Sequence, residues 1–266
     1  MSLFFQGIIA PALIIGAFGL LFGLCLTFAA RKFAVEEDPR IEEIHALLPG
    51  ADCGACGYPG CGGYANALLE DPSLLGACNA CSAEKEQRIA TILGITAEEK
   101  SARVVKITCQ GDCINAKAKY SYEGMSSCRN ALRLGGGAKA CFYGCLGLGD
   151  CASVCPNDAI VLKDGLASID QEKCLACGAC ITACPKGLIR YLPATAPVYL
   201  ACATQEKGAT AKKQCGIACI GCGLCAKACE SGAIELVNNL PVFDYEKCTA
   251  CGACAEKCPT GALVKH

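Results

Sequence analysis

The chain begins with an unbroken apolar stretch. Residues 3–30 carry no charged side chain, and Arg31 and Lys32 close the run. As a helix, these 28 residues would measure about 42 Å, more than a hydrocarbon core of about 30 Å requires. The pattern predicts one transmembrane helix. A cleaved leader carries its positive charge ahead of the apolar run, whereas here it follows, which predicts a retained anchor with the rest of the chain in the cytoplasm. Gly19 and Gly23 have the spacing that lets membrane helices approach closely, and Cys25 reads as an apolar helix residue. After the polar stretch Glu36-Glu-Asp-Pro-Arg40, Ile41, Ile44, Leu47 and Leu48 share one helical face, which Pro49-Gly50 ends. Residues 64–70 continue the helical period, and 83–100 are charged, helix-prone and suited to a connector. The period then shortens to two. Residues 159–169 give two short apolar strands about Asp164-Gly165, and 234–243 do the same about Asn238-Asn239, each predicting a hairpin. The class expected is α+β.

Cysteine changes this picture most, at 27 of 266 residues. Adding 74 to Cys128, Cys141, Cys145, Cys151, Cys155, Cys174, Cys177, Cys180 and Cys184 gives Cys202, Cys215, Cys219, Cys225, Cys229, Cys248, Cys251, Cys254 and Cys258. Each copy contains C-x2-C-x2-C-x3-C-P, from Cys174 to Pro185 and from Cys248 to Pro259. That spacing is the thiolate set of a bacterial 4Fe-4S ferredoxin, whose fourth cysteine serves the other cluster of a pair. The crossed rule assigns Cys219, Cys222, Cys225 and Cys258 to one cluster, and Cys248, Cys251, Cys254 and Cys229 to another. In the first copy it assigns Cys174, Cys177, Cys180 and Cys155. Leu148 stands where Cys222 would be matched, and Cys141 is the expected substitute, with Cys145, Cys151 and Cys184. Upstream, Asp52-Cys53-Gly-Ala-Cys56-Gly-Tyr-Pro-Gly-Cys61 and Cys78 can surround a further cluster, with Cys81 left as an alternative to Cys78 or an unused thiol. The count is at least five clusters. Cys109, Cys113, Cys128, Cys202 and Cys215 remain, and four of them could hold a sixth, with structural zinc or unligated thiols as the alternatives.

The expected organisation is an anchor at 1–32, a small four-cysteine 4Fe-4S domain at 33–82, a connector at 83–108, and two dicluster ferredoxin-like modules at 109–192 and 193–266. A disulfide scaffold fits poorly with this length and a cytoplasmic location. Zinc would use paired doublets but gives no reason for the third cysteine or the proline. A net charge of −1, two histidines and no tryptophan give no nucleic-acid signal. Gly135-Gly136-Gly137-Ala-Lys139 lacks the spacing of a phosphate loop, and no dinucleotide fingerprint occurs, so neither bound nicotinamide nor flavin is expected. No catalytic residue, acid or base, is expected either. Lys186, Arg190, Lys207, Lys212 and Lys213 are candidates for docking an acidic protein.

The anchor ending in Arg31-Lys32, the Asp52-to-Cys61 segment with Cys78, and the trailing ferredoxin runs together resemble the B subunits of Rnf complexes, bacterial membrane-bound ion-translocating ferredoxin:NAD oxidoreductases. The resemblance spans essentially the whole chain. It implies an electron-transport subunit of a translocase in the cytoplasmic (inner) membrane. Such a protein takes electrons from soluble reduced ferredoxin and passes them to a flavin-bearing, NAD-reducing subunit, alongside further Rnf membrane subunits. A polyferredoxin subunit of another membrane dehydrogenase or hydrogenase is the alternative, and a non-redox zinc scaffold is the alternative of a different class.

Overall fold

A computed structural model of the chain describes residues 2–33, 38–96 and 102–265. The expected polar stretch falls partly at 34–37, and the end of the expected connector at 97–101, both outside the described residues. The chain forms two compact units, Met1–Ile41 and Glu42–His266. The first is built on α1, Ser2–Lys32. Within it, Ala12–Lys32 has a mean hydropathy of 2.4 and is long and apolar enough to cross a membrane. Leu13, Ile15, Phe18, Leu26 and Phe28 are all exposed, an apolar surface that water alone would not tolerate on this scale. The hydroxyl of Thr27 donates to the Gly23 carbonyl at 2.7 Å, so the side chain is satisfied within the helix, as a lipid environment demands.

Helix α2, Pro39–Leu47, buries Ile44, and Leu48 just beyond it is buried too. Helix α3, Gly60–Glu70, buries Tyr64, Ala65 and Leu68, and the Tyr64 hydroxyl donates to the carbonyl of Leu74 in the 3-10 turn Pro72–Leu74. Helix α4, Ala83–Leu93, buries Ile89 and Ala90 and stops at Gly94, whose φ of 71° makes the left-handed cap that glycine accepts without strain. The expected connector therefore begins as a packed helix. Its end differs more. Strand β1, Arg103–Ile107, turns Val105 and Ile107 inward and belongs to the first module. Two inward residues in a five-residue strand carry too little periodicity to stand out from charged flanks.

The first module continues with α5 (Cys128–Arg133), α6 (Asp150–Ser153), β2 (Ile160–Lys163), β3 (Leu166–Ile169), α7 (Ala179–Ala183) and β4 (Ile189–Pro193). The second contains β5 (Val198–Leu200), α8 (Gly208–Gln214), α9 (Leu224–Lys227), β6 (Ile234–Val237), β7 (Leu240–Phe243), α10 (Ala253–Glu256) and β8 (Leu263–Lys265). Each module is two antiparallel pairs. The entering strand pairs with the leaving one, β1 with β4 and β5 with β8, while β2–β3 and β6–β7 are hairpins. Asp164-Gly165 and Asn238-Asn239 all have positive φ, as a two-residue turn of type I′ requires.

Strand register corrects the repeat. Ile107 pairs with Ile189 and Leu200 with Leu263. Since Ile189 and Leu263 lie 74 apart, Ile107 matches Leu200 at an offset of 93. Cys202 therefore corresponds to Cys109, and its match to Cys128 at 74 is coincidental. Hydrogen bonds repeat in the same frame. The Cys145 amide donates to Cys109 Sγ at 3.4 Å, and the Cys219 amide to Cys202 Sγ at 3.3 Å. Both cores use matched positions, Val105, Cys151, Ile160 and Ile189 in one and Val198, Cys225, Ile234 and Leu263 in the other.

The first module carries the extra residues between Cys109 and Cys141. They return to join the modules. Lys117 N–H donates to the Gln214 carbonyl at 2.9 Å and Gly216 N–H to the Asn115 carbonyl at 3.0 Å, while Gln110 Nε2 reaches the Gly261 carbonyl at 2.7 Å.

Candidate iron–sulfur centres

The four-cysteine segment is shaped by one carboxylate. Asp52, at φ 44°, accepts the Cys61 amide at 2.6 Å, which fixes that cysteine at the start of α3. A charge-assisted bond of this kind contributes about 1.5–3 kcal/mol. A Cβ on Gly60, whose φ is 78°, would sit 2.7 Å from Asp52 Oδ1, so the glycine is a steric requirement of the cap. Cys53, Cys56, Cys61 and Cys78 then line one cavity, and Cys81, which is buried, does not line it. Burial first, then the neighbouring Cys56 and Cys61 thiolates, push the Cys78 thiol up.

Cys177 of the first module lines the same cavity, close enough for Cys53 to help push its thiol up after burial. It belongs to a turn in which Ala176 takes a φ of 51°, matched by Ala250 at 59° in the second module. The Ala176 amide donates to Cys174 Sγ at 3.4 Å, and the Ala159 amide to Cys155 Sγ at 3.3 Å. Amides aimed at sulfur stabilise thiolate charge and tune a bound cluster. Cys180 is pushed up to about 12 by burial and then by Cys177, Cys174, Cys151 and Cys155, a sign of how tightly these thiols group. Tyr191 Oη donates to the Ala176 carbonyl at 3.2 Å and braces the turn.

The adjacent cavity departs from expectation. Cys145, Cys151 and Cys184 line it with Cys128, while Cys141 faces elsewhere. The cause is Asp150. Its carboxylate accepts the Cys128 amide at 2.8 Å and the Arg129 amide at 3.0 Å, holding the first turn of α5 over the position where Leu148 leaves a cysteine missing. Ser126 Oγ donates to the Leu148 carbonyl at 3.3 Å. In the second module, Cys222 stands at the matching position and lines a cavity with Cys219, Cys225 and Cys258. Cys229 packs in the same core as Cys225, Cys254 and Cys258, and Cys254 is pushed up by burial and then by Cys248 and Cys251.

Cys109, Cys141, Cys202 and Cys215 line a further cavity. Cys109 is pushed up to about 11, by burial above all. Lys139, 8% exposed, donates from Nζ to the Gly111 and Gly165 carbonyls, both at 2.6 Å, and its charge acts on Cys109 and Cys215. Cys113 is exposed on the loop, and Cys25 is exposed on α1. Lys186, among the docking candidates, is drawn inward. Its Nζ bonds the carbonyls of Gly136 and Phe142 and stands 4.1 Å from the Phe142 ring centre.

Among the described residues, no three Cys, His, Asp or Glu side chains converge on a single-ion site. The cavities instead offer all-cysteine donor sets of the kind that 4Fe-4S clusters use. Two family models agree. The 4Fe-4S dicluster domain matches residues 140–188 and 218–262, and an Fe-S cluster family, FeS, matches 48–80. Three curated relatives align over most of the chain. The B subunit of the Na+-translocating ferredoxin:NAD+ oxidoreductase complex of Acetobacterium woodii is 44% identical, covering 91% of this chain and 73% of that protein. The B subunit of the proton-translocating ferredoxin:NAD+ oxidoreductase complex of Clostridium ljungdahlii is 39% identical, covering 86% and 82%. The B subunit of the ion-translocating oxidoreductase complex of Methanosarcina acetivorans is 35% identical, covering 88% and 89%.

Gly60→Ala, which collides with the Asp52 cap, should cost about four iron atoms per chain, measured with acid-labile sulfide on anaerobically purified protein. Cys128→Ala should lose a comparable amount, and adding Leu148→Cys should restore it by rebuilding the regular run; full iron in Cys128→Ala alone would contradict the assignment. Thiols held protonated by burial must release protons to bind metal, so iron retention against a fixed chelator concentration should weaken as the pH falls.

Proposed function

This chain belongs to the B-subunit family of Rnf complexes, the ion-translocating ferredoxin:NAD oxidoreductases, and we propose that it accepts electrons from reduced ferredoxin and relays them to the NAD-reducing flavoprotein subunit. Its relatives are subunits of an oxidoreductase complex, so its partners include the other subunits of such a complex. The observation that carries the reading is contact between centres. Cys177 of the first dicluster module reaches into the cavity of Cys53, Cys56, Cys61 and Cys78, which supports electron exchange between these two centres.

The 4Fe-4S clusters supply one-electron redox chemistry when bound, over a range whose low end suits a ferredoxin donor. The chain's own residues do the rest. Cysteines position the metal, amides such as those of Ala159 and Ala176 aim dipoles at sulfur, and burial by Val105, Ile107 and Ile189 excludes water. We assign Cys53, Cys56, Cys61 and Cys78 to one set, and Cys155, Cys174, Cys177 and Cys180 to a second. Cys128, Cys145, Cys151 and Cys184 form a third. In the second module the sets are Cys219, Cys222, Cys225 and Cys258, then Cys229, Cys248, Cys251 and Cys254. The apolar helix Ala12–Lys32 anchors the chain in the cytoplasmic membrane, with Arg31 and Lys32 supporting a cytoplasmic location for the clusters.

Mixing photoreduced ferredoxin with the anaerobic chain should bleach its visible absorption, with electrons recovered in proportion to iron. A brown, fully loaded chain that ferredoxin leaves oxidised would refute the donor assignment. Lys207, Lys212 and Lys213 are exposed around α8, unlike Lys186. Replacing these three with glutamate should slow that reduction and reverse its salt dependence.

A further inference from the structure

We propose that Cys109, Cys141, Cys202 and Cys215 hold a sixth 4Fe-4S cluster shared between the two dicluster modules, and that it joins all the centres into one unbranched series. This rests on the electron-transfer reading above and extends it.

The first argument is the cavity itself, lined by these four thiols and by residues of both modules. The second is symmetry. Cys109 and Cys202 occupy matched positions two residues after paired strands, and Cys141 and Cys215 each stand four residues before the first thiol of a ferredoxin run. Each module thus gives the same two ligands, and neither gives enough for a cluster. The third argument is charge. Four thiolates around a cluster core leave a net negative group, and the buried Lys139 ammonium is fixed by two carbonyls, one of them that of Gly111, which packs beside Cys109 and Cys215. A buried cation without an anion beside it would be costly.

Connection follows from the bonds on either side. Cys145 belongs to a first-module set, and its amide donates to Cys109 Sγ; Cys219 belongs to a second-module set, and its amide donates to Cys202 Sγ. One N–H···S bond therefore leads from the junction into each module. At one end of the series, Cys177 and Cys53 line one cavity, and within the modules Cys151 with Cys180, and Cys225 with Cys254, share a core. Passage through the junction is a one-electron exchange in which one flanking set is oxidised as the next is reduced, with no bond made and no proton moved.

The test uses the full chain, purified anaerobically, with Cys141→Ala, Cys215→Ala, the double variant, and Cys113→Ala as a control. Each junction variant should lose about four iron atoms of about 24, and the double should lose no more than either single, since the two thiols serve one cluster. Electron paramagnetic resonance of the reduced double variant should show sharper signals from the remaining clusters, which have lost a magnetic neighbour. A double variant that loses about eight iron atoms, singles that lose none, or unchanged line shapes after iron loss would each overturn the proposal. These readouts need no ferredoxin. If the double variant behaves as expected and ferredoxin fails to reduce the wild type, the donor assignment fails and the junction stands; the reverse pattern removes the junction and leaves the donor.

Discussion

The proposed crossed ligation is the constraint on which the rest of this fold depends. Cys151 lines a cavity with Cys184 from the far run, whereas Cys155, four residues on, does not line it and neighbours Cys180. Neither half of a module can close its own ring of thiols. The apolar contribution is correspondingly thin. Val105, Ile160 and Ile189 pack against cysteines, and so do Val198, Ile234 and Leu263 in the second module. Alanines and glycines fill the remaining space. Where inward aliphatic bulk is this sparse, bound clusters complete the core, and loading with metal becomes part of folding.

In the proposed shared centre the same constraint acts a second time, between modules. The extra residues after Cys109 pair with 214–216 and with 138–140, so one loop fixes Cys215 and Cys141 together. A duplicated module would by itself leave two half-sites, one at Cys109 and Cys141 and one at Cys202 and Cys215. Packing of the two copies brings the halves around one cavity. The loop therefore has two roles: it places Cys128 at a first-module cavity and braces the contact with the second module.

Local spacing made much of this legible in advance. The hairpins could be read from Asp164-Gly165 and Asn238-Asn239, because two-residue turns with positive φ admit few residue types. The regular runs could be read because their thiols lie within one loop and one helical turn. Leu148 marked a position without a thiol, and the cavity there is lined by Cys128 and not by Cys141, the nearer cysteine in sequence. Choosing Cys128 over Cys141 depends on Asp150, whose carboxylate anchors a helix 22 residues away. Strand β1 was hidden within a charged stretch, and its pairing with β4 is what exposes the 93-residue offset and matches Cys109 to Cys202. Long-range pairing, unlike spacing, leaves no periodic trace. Lys186 shows the same limit, since an apparent surface charge is tied to two carbonyls and an aromatic face.

Burial gives the thiols opposing demands that explain where the amides and Lys139 are placed. Desolvation favours the neutral thiol, most strongly at Cys180, Cys151 and Cys109. A cluster requires the thiolate. The fold meets both demands by placing dipoles and one cation where sulfur charge will form: amides at Cys155 and Cys174, paired amides at Cys109 and Cys202, and an ammonium beside Cys109 and Cys215. The amides are fixed by backbone geometry and the ammonium by two backbone carbonyls, and so they add little reorganisation when charge arrives. A chain that must pass electrons through successive buried sites benefits from this rigidity, because each site changes charge without changing shape.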